Sequence, residues 1–332
     1  MTGINTMAFQ KVLLTGPTGF IGKRLLYKLD ERGYQVRCLV RAGETLDLKI
    51  PLRREPEIVY ADLLDPGSLP QALDGMDTAY YLVHSMGGRS IRQTRAFVEK
   101  DRIVARNFRE AADRAGLSRI IYLGGLGDAG DRLSHHLASR HEVARILQAG
   151  TVKTTVLRAA VIIGAGGASF EIIRYLVERL PVLLGPRWVY TKSQPIAIDN
   201  VLAYLCGCLE TPETAGRTFD IGGPQVLSYA DLMGMYARVR GLSRIIIGVP
   251  LVPVRLSAYW VSFITPVPAG VVLPLAEGLR NRAICRENTI RELITIPLNP
   301  METAICNALA EEAGGPGKLL SQQACFLPKD LA

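Results

Sequence analysis

The chain has 332 residues, of which 48% are hydrophobic and 21% charged, and a formal net charge of +8. That balance excludes a disordered or fibrous chain and supplies enough apolar residues for a substantial core. Lysine and arginine are scattered among acids and build no basic block with interleaved aromatics, so nucleic acid is excluded as a partner, and an anionic small ligand suits the excess charge better.

The first element is the apolar run Val12 to Leu14, which breaks at T-G-P-T-G-F-I-G (Thr15 to Gly22) and continues as the helix-period pattern I-G-K-R-L-L-Y-K-L. Strand, glycine turn and helix follow one another. Gly16 suits the tight turn, Gly19 a close approach of backbone to ligand, and Gly22 close packing of helix on strand. The free amides and the helix dipole then face one point, which suits the pyrophosphate of a dinucleotide, with Thr15, Gly16, Thr18, Gly19, Phe20, Ile21 and Gly22 as its contacts.

Gly33 stops this helix, and Y-Q-V-R-C-L-V-R reads as a second buried strand ending at Arg41. In a dinucleotide fold that position faces the adenosine ribose, where an acid selects a 2′-hydroxyl and an arginine suits a 2′-phosphate. Arg41 therefore favours NADP(H), with NAD(H) as the alternative. Strands follow at Glu57 to Tyr60, running out into Asp62 and Leu63, and at Ala79 to Val83, running out into His84. Exits on one edge of a parallel sheet are where ligands bind, which adds Asp62, Leu63, Val83 and His84 to the cofactor contacts.

The segment from Ser90 to Ala115 has a helical apolar face, and a fifth strand spans Arg119 to Leu123 before Gly124 and Gly125. S-H-H-L-A-S-R-H-E-V-A-R-I-L is helical in period and sets His136 and Arg140 four apart on one face. A sixth strand covers Thr154 to Ala159, and a small-residue loop spans Ile162 to Gly167. Beyond it come helices near Phe170 to Leu180 and Tyr229 to Val239, a strand turning into a helix capped by Asp199, and a strand-and-turn at Phe219 to Gly223. Leu256 to Leu275 carries no charge and has the length of a bilayer span, but Pro266, Pro268 and Pro274 break a helix there. A buried part of the second lobe is preferred, and contact of residues 256–275 with a membrane surface or a complex partner is the alternative.

The expected fold is α/β, a doubly wound parallel Rossmann sheet with a smaller C-terminal substrate lobe. Residues 9–165 form the NAD(P)-binding core, 166–311 complete the sheet and build the lobe, and 312–332 are a mobile tail. The N-terminus lacks the charged and apolar regions of a secretory signal, so the expected location is cytoplasmic, with membrane association as the alternative. Six cysteines without C-x-x-C or histidine at ligand spacing read as buried free thiols, and no metal is expected.

These residues resemble the atypical, extended short-chain dehydrogenase/reductase family. T-G-P-T-G-F-I-G is similar to its cofactor loop, Asp62-Leu63 to its adenine-side acid, and Leu82 to His84 to its segment near the ribose. L-R-A-A-V-I-I-G resembles its nicotinamide-side loop, with Ala159 and Ala160 where a proline is common. Y-L-G-G-L-G, H-L-A-S-R-H-E-V, F-D-I-G-G-P and Y-W-V-S-F-I-T-P-V-P resemble the branch that includes YbjT-type proteins and the NADPH-binding accessory subunit of respiratory complex I.

The family's catalytic Tyr-x-x-x-Lys positions read His136 and Arg140 here, and its serine falls at Gly124 or Gly125. The resemblance thus implies His136 as a substitute proton donor and Arg140 as a ribose contact, with His135 and Ser134 as weaker candidates. The implied function is an NADP(H)-dependent oxidoreductase on a hydrophobic carbonyl or quinone-like molecule. The alternative is a non-catalytic NADP(H)-binding sensor or assembly subunit of a larger complex.

Overall fold

The structure is a computed structural model describing residues 10–48, 51–84, 94–127, 133–250 and 252–314. Its first half alternates strand and helix: β1 (Lys11–Thr15), α1 (Phe20–Glu31), β2 (Gln35–Val40), β3 (Glu57–Tyr60), α2 (Leu69–Leu73), β4 (Thr78–Tyr81), α3 (Thr94–Ala115), β5 (Arg119–Gly125), α4 (His135–Gln148) and β6 (Lys153–Ala159). There follow β7 (Ile162–Ile163), α5 (Ala168–Arg179), β8 (Val182–Pro186), β9 (Lys192–Ser193), β10 (Ile196–Ala197), α6 (Ile198–Glu210), β11 (Thr218–Ile221) and β12 (Leu227–Ser228). The described chain closes with α7 (Tyr229–Val239), β13 (Ile245–Val249), α8 (Val254–Ile264), α9 (Ala269–Gly278), α10 (Thr289–Leu293) and α11 (Met301–Glu312).

Seven strands form one sheet in the order β11-β6-β5-β4-β1-β2-β3, and every neighbouring pair is parallel. The order reverses beside β1, where a doubly wound sheet opens a crevice at its C-terminal edge. Alternate residues of each strand serve opposite faces. Val12, Leu14, Tyr80, Ile121 and Leu157 pack with α1 and α6 on one side. Leu13, Ala79, Tyr81, Ile120, Tyr122 and Val156 pack with α2, α3 and α4 on the other.

The chain after residue 165 does two jobs. β11 extends the sheet beside β6, with Phe219 opposite Leu157, and α6 covers the first face. The remainder builds a second core from α5, α7, α8, α9 and α11, including Phe170, Leu232, Tyr236, Leu273 and Met301. The parallel pair β8 and β13 edges this lobe.

Three local expectations change. Pro274 lies inside α9 rather than ending it, and Pro268 caps the start of that helix. The missing amide of Pro274 frees one carbonyl, a cost that the lobe's packing outweighs. α6 is capped by Ala197 without a side-chain bond, and Asp199 lies in the first turn. Among the cysteines, Cys38, Cys206 and Cys208 are buried free thiols and Cys285 is a half-buried one, whereas Cys306 is disulfide-bonded. The segment expected to be a tail falls, from residue 315 on, outside the described residues. No helix among the described residues is long and apolar enough to cross a membrane.

Candidate functional site

The turn after β1 has the geometry its glycines suggest. Gly16 has φ of 68°, a left-handed conformation, and a Cβ there would lie 3.2 Å from the Leu82 carbonyl oxygen. At Gly22 a Cβ would meet the Gly16 carbonyl oxygen at 2.0 Å, so only glycine lets α1 start so close to the turn. Gly19 precedes α1 and caps it without a side chain, leaving the first-turn amides for an acceptor from outside. Gly16, Thr18, Gly19, Phe20, Ile21 and Gly22 all line one large cavity of about 890 Å³. Thr15 does not: its buried hydroxyl donates to the Tyr80 carbonyl at 3.0 Å and accepts from the Leu82 amide at 3.1 Å, tying β1 to β4.

Arg41, Asp62, Leu63, Val83 and His84 line the same cavity. Arg41 is exposed and ion-paired with Glu44, which also lines the cavity and accepts a long 3.5 Å bond from Thr18. The Asp62 carboxylate accepts the Leu64 amide at 2.9 Å, and the Leu63 carbonyl is held by the Asn107 side chain.

His136 and Arg140 enter one turn apart on α4. Ser134 caps the helix, its hydroxyl accepting the Leu137 amide at 3.3 Å, and its own amide donates to Asn281. His135 is exposed and lies off the cavity. Arg140 is buried, 3.9 Å from Asp101 of α3, whose carboxylate also accepts from Ser139 at 3.2 Å. Its Nε is buried and has no hydrogen-bond partner. An unanswered donor in the wall of a cavity fits a ligand oxygen such as a ribose hydroxyl.

Burial and the Arg140 charge bring the His136 pKa down to about 3. Desolvation by the cavity wall, Arg140 and His136 likewise hold His84 well below the usual histidine range, although among the described residues it is exposed where it lines the cavity. Both rings are therefore neutral near pH 7. A neutral His136 ring offers an N–H hydrogen bond rather than a stored proton, and Arg140 disfavours its charged form, as expected of an arginine one turn away. Gly124 and Gly125 supply no hydroxyl at their point of the wall, and a Cβ at Gly125 would come 2.8 Å from Leu137.

Past Ala159, Ala160 and Ile162 the cavity runs into the second lobe, where Ile172, Leu176, Val189, Met233, Val261 and Leu275 line it. An indole and an amine also line the cavity. Trp188 has a buried Nε1 donor without a partner, and Lys100 of α3 enters from the other side. The sequence reading missed Glu44, Lys100, Asp101, Trp188 and Asn281. For Glu44 a signal existed, an acid three residues past Arg41; the others depend on helix placement. Among the described residues no group of three acids, histidines or cysteines could hold a metal.

Residues 16–174 match a family model described as NAD(P)H-binding. The chain is 30% identical over 204 residues to a ceramide reductase of Caulobacter vibrioides, a match covering 60% of this chain and 61% of that one. It is 25% identical over 250 residues to the photosystem II assembly factor Ycf39 of Trieres chinensis, covering 74% of each. Similarity to the mitochondrial NADH dehydrogenase 1 alpha subcomplex subunit 9 of Arabidopsis thaliana is 24% over 231 residues, 68% of this chain and 57% of that one. The chain spans about a third to three fifths of the length of the first curated relatives it matches. In fold it is similar to a nucleoside-diphosphate-sugar epimerase structure from Staphylococcus aureus, at a TM-score of 0.69 and 17% identity over 89% of this chain and 99% of that one.

Proposed function

We propose that this chain, similar to NAD(P)-binding, atypical short-chain dehydrogenase/reductases, is an NADP(H)-dependent oxidoreductase of a hydrophobic carbonyl or quinone-like molecule. The carrying observation is continuity: the glycine loop and the apolar pocket of the second lobe are parts of one cavity. A cofactor bound at the loop would supply or accept hydride. The first-turn amides of α1 would hold its diphosphate, Arg41 a 2′-phosphate, and Arg140 Nε a ribose hydroxyl.

In this reading His136 donates its ring N–H to the substrate oxygen. Arg140, behind it, stabilises negative charge as that oxygen gains it, and a proton from water completes the alcohol. The pocket's apolar wall selects substrates by area and excludes water from the reacting carbon. The ceramide reductase similarity supports a lipophilic substrate. The test is NADPH consumption with long-chain ketones, enones and quinones. Turnover lost in His136→Phe with NADPH affinity intact supports the role of His136, and unchanged turnover removes it.

A non-catalytic NADP(H)-binding subunit is favoured by a different observation. The wall lacks a hydroxyl at Gly124 and Gly125, and His136 near pH 7 is uncharged and carries no second, acidic proton to give. The Ycf39 similarity supports an assembly role. Tight NADPH binding without turnover on any of these substrates would decide for it.

A further inference from the structure

Helix α8 is apolar on two sides. Its inner side contributes Ser257, Ala258 and Val261 to the cavity wall. Its outer side carries Leu256, Tyr259, Trp260 and Phe263, spaced i, i+3, i+4 and i+7 and exposed by 62%, 55%, 39% and 89%. A single exposed leucine is ordinary; a whole helical stripe ending in a phenylalanine that touches almost nothing is not. Next to α8, β8 and β13 add a second exposed set. Val182 pairs with Ile245 and Leu184 with Ile247, so the four share one face of the two-stranded sheet, and all four are exposed. Leu184 and Trp260 are both exposed and cavity-lining, which puts the pocket's mouth between the two sets.

Charge says what covers this lip. From Leu232 to Ala276 the sequence has no aspartate or glutamate, and it has four arginines. From Arg179 to Ile198 there is again no acid, and Arg179, Arg187 and Lys192 are exposed. Arg179 donates to the Ile264 carbonyl at the end of α8, so a guanidinium stands beside the Phe263 stripe. Lys192 and Arg240 are matched by Asp231 and Glu178 from neighbouring elements. The exposed Arg179 and Arg187 on the acid-free stretches leave cations beside the aromatic and aliphatic chains, which complements an anionic lipid interface where rings sit at headgroup depth and cations meet phosphate.

We propose that α8 and the β8/β13 face seat the protein on an anionic bilayer surface, with the cavity mouth turned to the lipid. Substrate would then enter directly from the membrane; this last step rests on the oxidoreductase reading above, and the seating itself does not. No helix among the described residues is long and apolar enough to cross the bilayer.

The test is flotation of the purified full chain with vesicles of phosphatidylcholine alone and with a third phosphatidylglycerol, read beside NADPH affinity. The wild type should float with the anionic vesicles, less in high salt, and brominated acyl chains should quench its tryptophan emission. Tyr259→Asp/Phe263→Asp, and the milder Phe263→Ser, should reduce vesicle binding at least about tenfold with NADPH affinity unchanged, since neither residue lines the cavity. Wild type that stays with neither vesicle, or a double variant that floats as well as wild type, overturns the proposal. So does a dimer in solution that the double variant makes monomeric, because the stripe then covers a second copy. Loss of NADPH binding by the wild type would sink the cofactor reading alone.

Discussion

His136 sits in the acid half of its titration at no physiological pH. With a pKa of about 3, roughly one ring in ten thousand is charged at pH 7. Because the folded value lies below the ordinary 6.5, protons prefer the unfolded chain as pH falls, and stability is lost from about pH 6.5 downward until the folded group also titrates near 3. Replacing His136 by Gln should therefore remove about 1–2 kcal/mol of the loss between about pH 7 and pH 5, checked by urea unfolding at both. A second prediction concerns the pair at the adenosine end. Arg41→Ala should weaken NADPH about tenfold and leave NADH nearly unchanged, and Glu44→Gln should tighten NADPH a few-fold by freeing the guanidinium, both read by calorimetry. If Glu44→Gln weakens NADH instead, the acid serves a 2′-hydroxyl and the NADP(H) preference fails. Gly16 and Gly22 were legible in the sequence because their backbone roles depend on local chain geometry. The Asp101 contact to Arg140 was not, since it joins helices 39 positions apart whose relative placement no local pattern encodes.

At the scale of elements, the loop and α1 act as one part. Gly22→Ala puts a methyl 2.0 Å from a backbone oxygen, so the helix must move off the turn. Dinucleotide affinity should fall by at least about tenfold and stability by about 1–3 kcal/mol, measured by titration and by thermal unfolding. α7 was readable to the residue, Tyr229–Val239, and Ser228 and Asp231 form a capping box at its start. β8 and β13 were not recognised: they pair across some sixty residues, in short strands whose exposed faces carry aliphatics and so lack an amphipathic signature. α9 was misjudged because proline weighs against a helix locally, whereas burial of Val272, Leu273 and Ala276 decides it.

Over the whole molecule, the two halves are not separable. The core under α1 contains Val12, Leu25 and Cys38 from the start of the chain and Val201, Leu205, Phe219 and Ile290 from well beyond residue 165. Calorimetry should accordingly give one cooperative unfolding transition for the full chain, and a fragment ending at residue 165 should melt without one; two resolved transitions in the full chain would separate the halves. The parallel sheet was legible from alternating strands and helices. That the chain beyond residue 165 completes the sheet was also expected; that β11 does so beside β6 was not, because the gap between them holds other pairings.

That shared core bears on how the protein is made. A ribosome releases the glycine turn first, but the hydrophobic floor beneath it stays open until Ile290 and Ile294 have emerged, nearly three hundred residues later. Between β6 and β11, some sixty residues apart, the nascent chain exposes an incomplete sheet edge, a natural handle for chaperones. Retention of dinucleotide should begin only once Ile290 and Ile294 have emerged.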